Sequence, residues 1–328
     1  MIEQQLGRCV ASWCPGATGV TGAAKLSGGA SQDTWSFDIL HPDGVFGAIL
    51  RRAPPGHGAA PSRAAGLNAE AVLMQLAHEA GLPSPRVLHV LQPQDGLGTG
   101  FIMQRVEGET IARKILRDEK FASARPHLAR QLGKVAAGIH GLPPAKLPKL
   151  RRMTSAKEIA ELERDYRSFD RPRPVFELAL RWLRDRDPGP SQEVTLVHGD
   201  FRNGNLIIGP DGLRAVLDWE LAHTGDPMED LGWVCVNSWR FGEIDKPVGG
   251  FGTRDELFAG YEAAGRRVDP ERVKFWEVMG TLRWGVMCCG MMQRFRIGPE
   301  HSIERAMIGR RSSETEIDLL RLLAPRGK

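Results

Sequence analysis

The stretch His198-Gly199-Asp200-Phe201-Arg202-Asn203-Gly204-Asn205, followed at position 218 by Asp218-Trp219-Glu220, decides how this chain is read. Asp200 and Asn205 stand five positions apart on what must be a tight loop. Leu206-Ile207-Ile208 reads as a strand, Pro210-Asp211-Gly212 as a turn, and Ala215-Val216-Leu217 as the returning strand. That hairpin carries Asp218 back beside the loop. Phosphoryl transfer from ATP requires such a trio. One carboxylate accepts the proton of the attacking hydroxyl, while an amide oxygen and a second carboxylate hold Mg²⁺ against the phosphates.

Outward from this unit, the chain has 328 residues, long for one domain and long enough to bury a large core in two lobes. Its 41% hydrophobic and 26% charged content is that of an ordinary globular protein. The formal charge of +4 is small and dispersed, which gives no reason to expect nucleic-acid binding. Cys9, Cys14, Cys235, Cys288 and Cys289 are odd in number and contain no Cys-x-x-Cys pair. Cys9 and Cys14 have no His at zinc-ligand spacing, so reduced thiols in a cytoplasmic protein are expected. The start of the chain shows no signal peptide, and no apolar run is long enough to span a bilayer.

Along the chain, residues 1–24 read as a short amphipathic segment and a Gly-rich connector. Trp35, Phe37 and Ile39 alternate with Ser36 and Asp38, the period of a half-buried strand. His41 to Gly44 is a turn, and Val45 to Arg51 is the next strand. Gly28-Gly29-Ala30-Ser31 between strands offers backbone N–H groups to a phosphate, because small side chains allow an anion to approach. An ordinary Gly-rich hairpin is the competing reading. Leu67 to Glu79 reads as a helix, Pro85 to Val90 and Phe101 to Met103 as strands. From Ile111 onward helical periodicity dominates, including Ser155–Phe169, Val175–Arg184, Met228–Arg240, Arg254–Ala264 and Pro270–Phe295. Ser313-Glu314-Thr315-Glu316 reads as a capping box opening the last helix.

His-Gly-Asp-x-x-x-x-Asn, a hairpin and then Asp resembles the aminoglycoside phosphotransferase-like small-molecule kinases, relatives of the protein kinases. The run Asp218-Trp219-Glu220-Leu221-Ala222-His223-Thr224-Gly225-Asp226-Pro227 is similar to the branch of that family associated with acyl-CoA dehydrogenases. The resemblance implies an α+β, protein-kinase-like fold. Residues 1–103 would form a small antiparallel-sheet lobe over the nucleotide, 104–108 a hinge, and 109–328 a mainly helical lobe. It implies ATP and Mg²⁺ as cofactors, Asp200 as the catalytic base, and Asn205 and Asp218 as metal ligands. His198 would be structural. Gly28, Gly29 and Ser31 would cover phosphates. Arg51 would replace the usual strand lysine, with Arg52 as the competing choice, and Glu70 would orient it. A solvated glutamate at a helix N-terminus is the alternative for Glu70. Gln104 and Val106 would line the adenine side of the hinge. Beside these, Arg202 would screen phosphate or stand exposed to solvent, and Asp230 would start a helix or brace the loop.

The acceptor is expected to be a small-molecule hydroxyl. Residues 228–328 hold 15 acidic and 16 basic residues, so no acidic trap for a polycation is visible. Trp233, Trp239, Trp276, Trp284, Met287, Met291 and Met292, with Arg240, Arg283, Arg294 and Arg296, would suit an apolar or anionic acceptor. A buried helical core is the competing reading. A hydroxy acid or hydroxyacyl-CoA is the leading candidate. An aminoglycoside kinase and a non-catalytic nucleotide-binding module are the alternatives. The oligomeric state is not legible in the sequence.

Overall fold

Helix α1 (Ile2–Trp13) opens the chain by laying Leu6, Cys9 and Val10 against a sheet. The computed structural model describes residues 2–26, 32–54, 63–169, 171–298 and 302–324. The sheet is antiparallel and contains β1 (Gly19–Lys25), β2 (Asp33–His41), β3 (Gly44–Arg52), β4 (Val87–Val90) and β5 (Gly100–Gln104), in the order β1-β2-β3-β5-β4. Between β3 and β4 lies α2 (Leu67–Glu79). Part of the expected Gly-rich connector is therefore a strand: Gly19–Lys25 pairs with β2 across a register irregularity between Thr21 and Ala24.

Pleat alternation divides the sheet between two cores. Phe37, Ile39, Ala48, Leu50 and Ile102 pack beneath α1. Ile49, Phe101 and Met103 face the opposite way, against α2 and the helical half of the protein. Arg51 shares the Ile49 face and so is turned toward the helical half.

Beyond Gln104 the chain becomes mainly helical, and the whole has the two-lobed α+β architecture of the kinases. It runs through α3 (Ala112–Arg117), α4 (Arg125–His140), α5 (Ser155–Arg167) and α6 (Pro174–Asp185). Next come β6 (Thr195–Val197), β7 (Leu206–Gly209), β8 (Gly212–Val216) and β9 (His223–Gly225). The chain ends with α7 (Met228–Val234), α8 (Arg254–Ala263), α9 (Pro270–Ile297), α10 (Ile303–Gly309) and α11 (Ser312–Leu323). β7 and β8 form the expected hairpin, and β6 pairs with β9 behind it. The 28-residue α9 is the spine of this half, burying Val273, Phe275, Trp276, Val278, Met279 and Leu282.

Two local expectations are corrected. Met228–Arg240 is not one helix: α7 stops at Val234, and a separate 3₁₀ turn covers Asn237–Trp239. Ser313 does not cap α11. The chain stays near helical dihedrals through Arg310 and Arg311, so it lacks the extended residue that a side-chain cap needs. Ser313 instead bonds back to the Arg310 carbonyl. The reciprocal box occurs at Thr253 and Glu256, opening α8. Among the described residues no helix is long and apolar enough to cross a membrane.

Candidate active site

The loop 198–205 joins β6 to β7, and its shape is fixed from beneath. Asp230 on α7 is wholly buried, and its carboxylate accepts the backbone N–H of His198 at 2.8 Å and of Gly199 at 2.9 Å. His140 on α4 adds a third contact at 3.0 Å. Burial opposes charge on Asp230, but His140, His198 and the backbone donor outweigh it and hold the carboxyl below its ordinary range. Gly199 has φ +80°, and a Cβ there would stand 2.5 Å from the Leu221 carbonyl oxygen, so the turn requires glycine.

His198 is buried between Phe201 and Trp219, and its Nδ1 accepts the Asp200 N–H at 3.2 Å. Burial pushes its pKa down, leaving a neutral ring that packs the loop. The carboxylate of Asp200 is held on both oxygens. Oδ2 accepts from Asn205 Nδ2 at 2.6 Å; Oδ1 accepts from Trp233 Nε1 at 2.8 Å and Arg202 Nε at 3.0 Å. The sequence places Trp233 in an acceptor wall or a helical core, not on Asp200. No local motif pairs residues 200 and 233; the link exists because α7 packs beside the loop. Arg202 lies over the Trp239 ring at 4.4 Å, so it is pinned beside Asp200 and not free in solvent.

Hairpin β7–β8 delivers Asp218 with φ +65°, a left-handed conformation that Asp tolerates better than most residues. Its Oδ1 lies 2.6 Å from Arg51 Nη2. The same guanidinium reaches Glu70 at 3.2 Å through Nε and Glu220 at 3.5 Å. Arg52 turns to the other face, toward the Leu97 carbonyl and Asp33. Glu70 is 1% exposed, which overturns the solvated-glutamate alternative. Burial, helped by Asp218 and Glu220, outweighs the pull of Arg51 and pushes its carboxyl up to about 7.

Three carboxylates thus converge on one guanidinium at this end of the cleft. Asn205 spends its amide N–H on Asp200, so its oxygen remains for another partner. Hard oxygen donors of this kind fit a divalent cation such as Mg²⁺, which Asn205 and Asp218 would hold.

Asp200, Asn205, Asp218, Arg51 and Glu70 border a single cavity of about 1070 Å³, together with Gln104 and Val106. Gly28, Gly29 and Ser31 lie outside the described residues. On the side of Asp200 the wall is Trp233, Trp239, Trp284, Met287 and Met291. The indole rings follow one another at 5.3 and 4.8 Å.

Other parts of the expected acceptor surface lie elsewhere or are already paired. Trp276 is core and donates to Asp226. Arg240 is consumed by Glu277 and the Cys235 carbonyl; Arg283 borders the main cavity, but Glu229 and the Gly199 carbonyl hold it. Met292 and Arg296 border a separate cavity, and Arg294 is exposed.

A sequence model of the phosphotransferase enzyme family matches residues 22–276. The chain belongs to the phosphotransferase enzyme family. Its structure superposes on a Ralstonia eutropha JMP134 protein designated an aminoglycoside phosphotransferase with TM-score 0.74 and 19% identity, covering 97% of each chain. It also matches aminoglycoside phosphotransferase APH(4)-Ia in a ternary complex with AMP-PNP and hygromycin B. There the TM-score is 0.62 at 16% identity, over 98% of this chain and 99% of that one. At such identities these likenesses establish the fold. Chicken (Gallus gallus) acyl-CoA dehydrogenase family member 11 is 27% identical over 244 residues, or 71% of this chain. The matched region is 30% of that relative's length. As a family member the chain is a phosphotransferase.

Proposed function

We propose that this phosphotransferase uses MgATP to phosphorylate a hydroxyl on a neutral or anionic small molecule, with a hydroxy acid or hydroxyacyl-CoA as the leading acceptor. The carrying observation is the convergence of Asp200, Asn205 and Asp218 with the Arg51–Glu70 pair around one cavity. Residues 104–108 would be the hinge against which adenine lies, with Gln104 and Val106 on the cavity surface.

Asp200 would orient the acceptor hydroxyl and take its proton as the O–P bond forms. The donors from Trp233, Arg202 and Asn205 keep the carboxylate oriented before substrate arrives, as electrostatic preorganisation requires. Arg51 would contact phosphate through two donors after exchanging its bonds to Asp218 and Glu220 for phosphate oxygens. Bound Mg²⁺ would neutralise charge on the transferring phosphoryl group.

Two observations favour an uncharged or anionic acceptor over a polycation. The cavity wall beside Asp200 is aromatic and thioether, and its charged groups are mutually paired. The likeness to a protein named for acyl-CoA dehydrogenation supports the acyl choice.

The test is a coupled assay of ATP consumption across hydroxy acids, hydroxyacyl-CoA thioesters and aminoglycosides, with Asp200→Asn as control. Turnover on a hydroxyacyl compound, slowed ~10²–10⁴-fold in the variant, is expected. Activity confined to aminoglycosides overturns the acceptor. ATP binding without turnover on any acceptor favours the non-catalytic alternative.

A further inference from the structure

Far from the cleft, on the outer side of the sheet, Cys9, His89 and Asp95 bring a thiol sulfur, an imidazole nitrogen and a carboxylate oxygen within 4.8 Å of one another. They come from three separate pieces of chain: the buried face of α1, strand β4, and the 3₁₀ turn Pro93–Asp95. We propose that this cluster is a structural zinc site that clamps α1 onto the sheet. Nothing in the phosphotransfer chemistry uses these residues.

The donor set is the first reason. Thiolate, imidazole and carboxylate are the three side-chain ligands that Zn²⁺ takes, at about 2.3, 2.1 and 2.0–2.2 Å. At tetrahedral angles those lengths put ligand atoms about 3.4–3.6 Å apart. The cluster therefore needs to tighten by about 1.2–1.4 Å at most, within the reach of side-chain torsions. His89 Nε2 and Asp95 Oδ2, now 2.8 Å apart, would separate slightly.

Burial is the second reason. Cys9 is 2% exposed and the Asp95 side chain 3%, while His89 retains 16%. Two ligands are thus walled in, and one side stays open for a water as fourth ligand.

The surroundings are the third reason. Trp13 stacks on His89 at 5.5 Å with an 8° interplanar angle, which fixes the imidazole plane. Among the described residues its buried indole Nε1 makes no regular hydrogen bond, and the group it interacts with is Cys9. A metal-bound thiolate would be its acceptor, a typical outer contact of a zinc ligand. Asp95 is oriented by the Gln92 N–H at 2.7 Å. Without metal, burial and the neighbouring Asp95 push the Cys9 thiol up to about 12. Binding therefore forms the Zn–S bond and releases the thiol proton to solvent.

The competing state is a closed hydrogen-bonded triad that binds no metal, and titration of the full chain with Co²⁺ separates the two. One equivalent should give a thiolate-to-cobalt charge-transfer band in the near ultraviolet, abolished by excess Zn²⁺. Cys9→Ser should remove the band. His89→Ala and Asp95→Asn, which leave the sulfur in place, should weaken Co²⁺ binding at least tenfold. Zn²⁺ should raise the melting temperature of the parent and not of Cys9→Ser. The inference is overturned if no band forms, if it survives in Cys9→Ser, or if it disappears in Cys14→Ser instead.

Discussion

Replacing Asp230 with Asn isolates the support of the catalytic loop from its chemistry. Asp230 touches no cavity surface, yet its two oxygens serve three donors. Oδ1 accepts from Gly199, and Oδ2 accepts from His198 and His140. An Asn of the same shape has one oxygen. In its better orientation that oxygen keeps His198 and His140, and its NH₂ then faces the Gly199 N–H. Two buried donors are left without acceptors, at ~1–3 kcal/mol each. The charge-assisted character of the remaining bonds is also lost. A destabilisation of about 3–5 kcal/mol follows, comparable to breaking a buried pair. At ~1.5 °C per kcal/mol for a chain of 328 residues, the melting temperature should fall by roughly 4–7 °C. Turnover should fall as well, because displacing Asp200 by about 1 Å costs ~10²-fold. The pH dependence has a definite sign. The folded carboxyl is depressed, so its stabilisation is present above about pH 3.9 and is lost as pH falls through the folded value. The variant should therefore lose part of the parent's acid-induced destabilisation. Differential scanning calorimetry at neutral and acidic pH, with kcat below the transition, measures all three quantities. A melting temperature within about 2 °C of the parent at pH 7 would refute the claim that Asp230 holds the loop.

Three further outcomes are expected. Asp218→Gly should abolish turnover while leaving stability equal or ~1 kcal/mol higher, since it relieves a left-handed Asp and one of three carboxylates crowding Arg51; a marked loss of stability in urea melts would contradict this. Trp239→Ala removes an indole bordering the cavity and the ring beneath Arg202, so KM for the acceptor should rise while ATP affinity stays unchanged; parallel loss of ATP affinity by calorimetry would misplace the acceptor side. The His223 ring faces two acceptors, the Leu221 carbonyl at 2.9 Å and Glu229 at 3.2 Å, and so carries both protons. Burial disfavours that charge, but Glu229 and the carbonyl outweigh it and raise the pKa, so this stabilisation is complete below about pH 6.5 and is lost as pH rises through the folded value. His223→Phe should flatten the alkaline side of the melting-temperature profile, and an unchanged profile would exclude the imidazolium.

The contiguous part of the candidate site was legible because its information is local. Loop, strand, turn and strand succeed one another between His198 and Asp218, and a hairpin returns its end beside its start. Strand alternation placed Arg51 and Arg52 on opposite faces. Helix α2 was delimited by its apolar spacing, although which way Glu70 pointed was open in sequence.

What no stretch of sequence contains is the meeting of distant stretches. Packing of α7 against the loop gives Asp200 its Trp233 partner and brings Asp230 under His198 and Gly199. Packing also decides that Trp233, Trp239 and Trp284 border the cavity while Trp276 is core, although all four look alike in one-dimensional periodicity. Arg240 and Arg283 appeared available for an anion, and tertiary partners occupy both. Cys9 lacked a histidine at any local spacing; folding supplies His89 and Asp95 from about 80 residues away in sequence. Short-range dihedral and periodic preferences specify the elements. Their side-chain partners follow from apolar burial, which is maximised over the whole chain and not within a window of it.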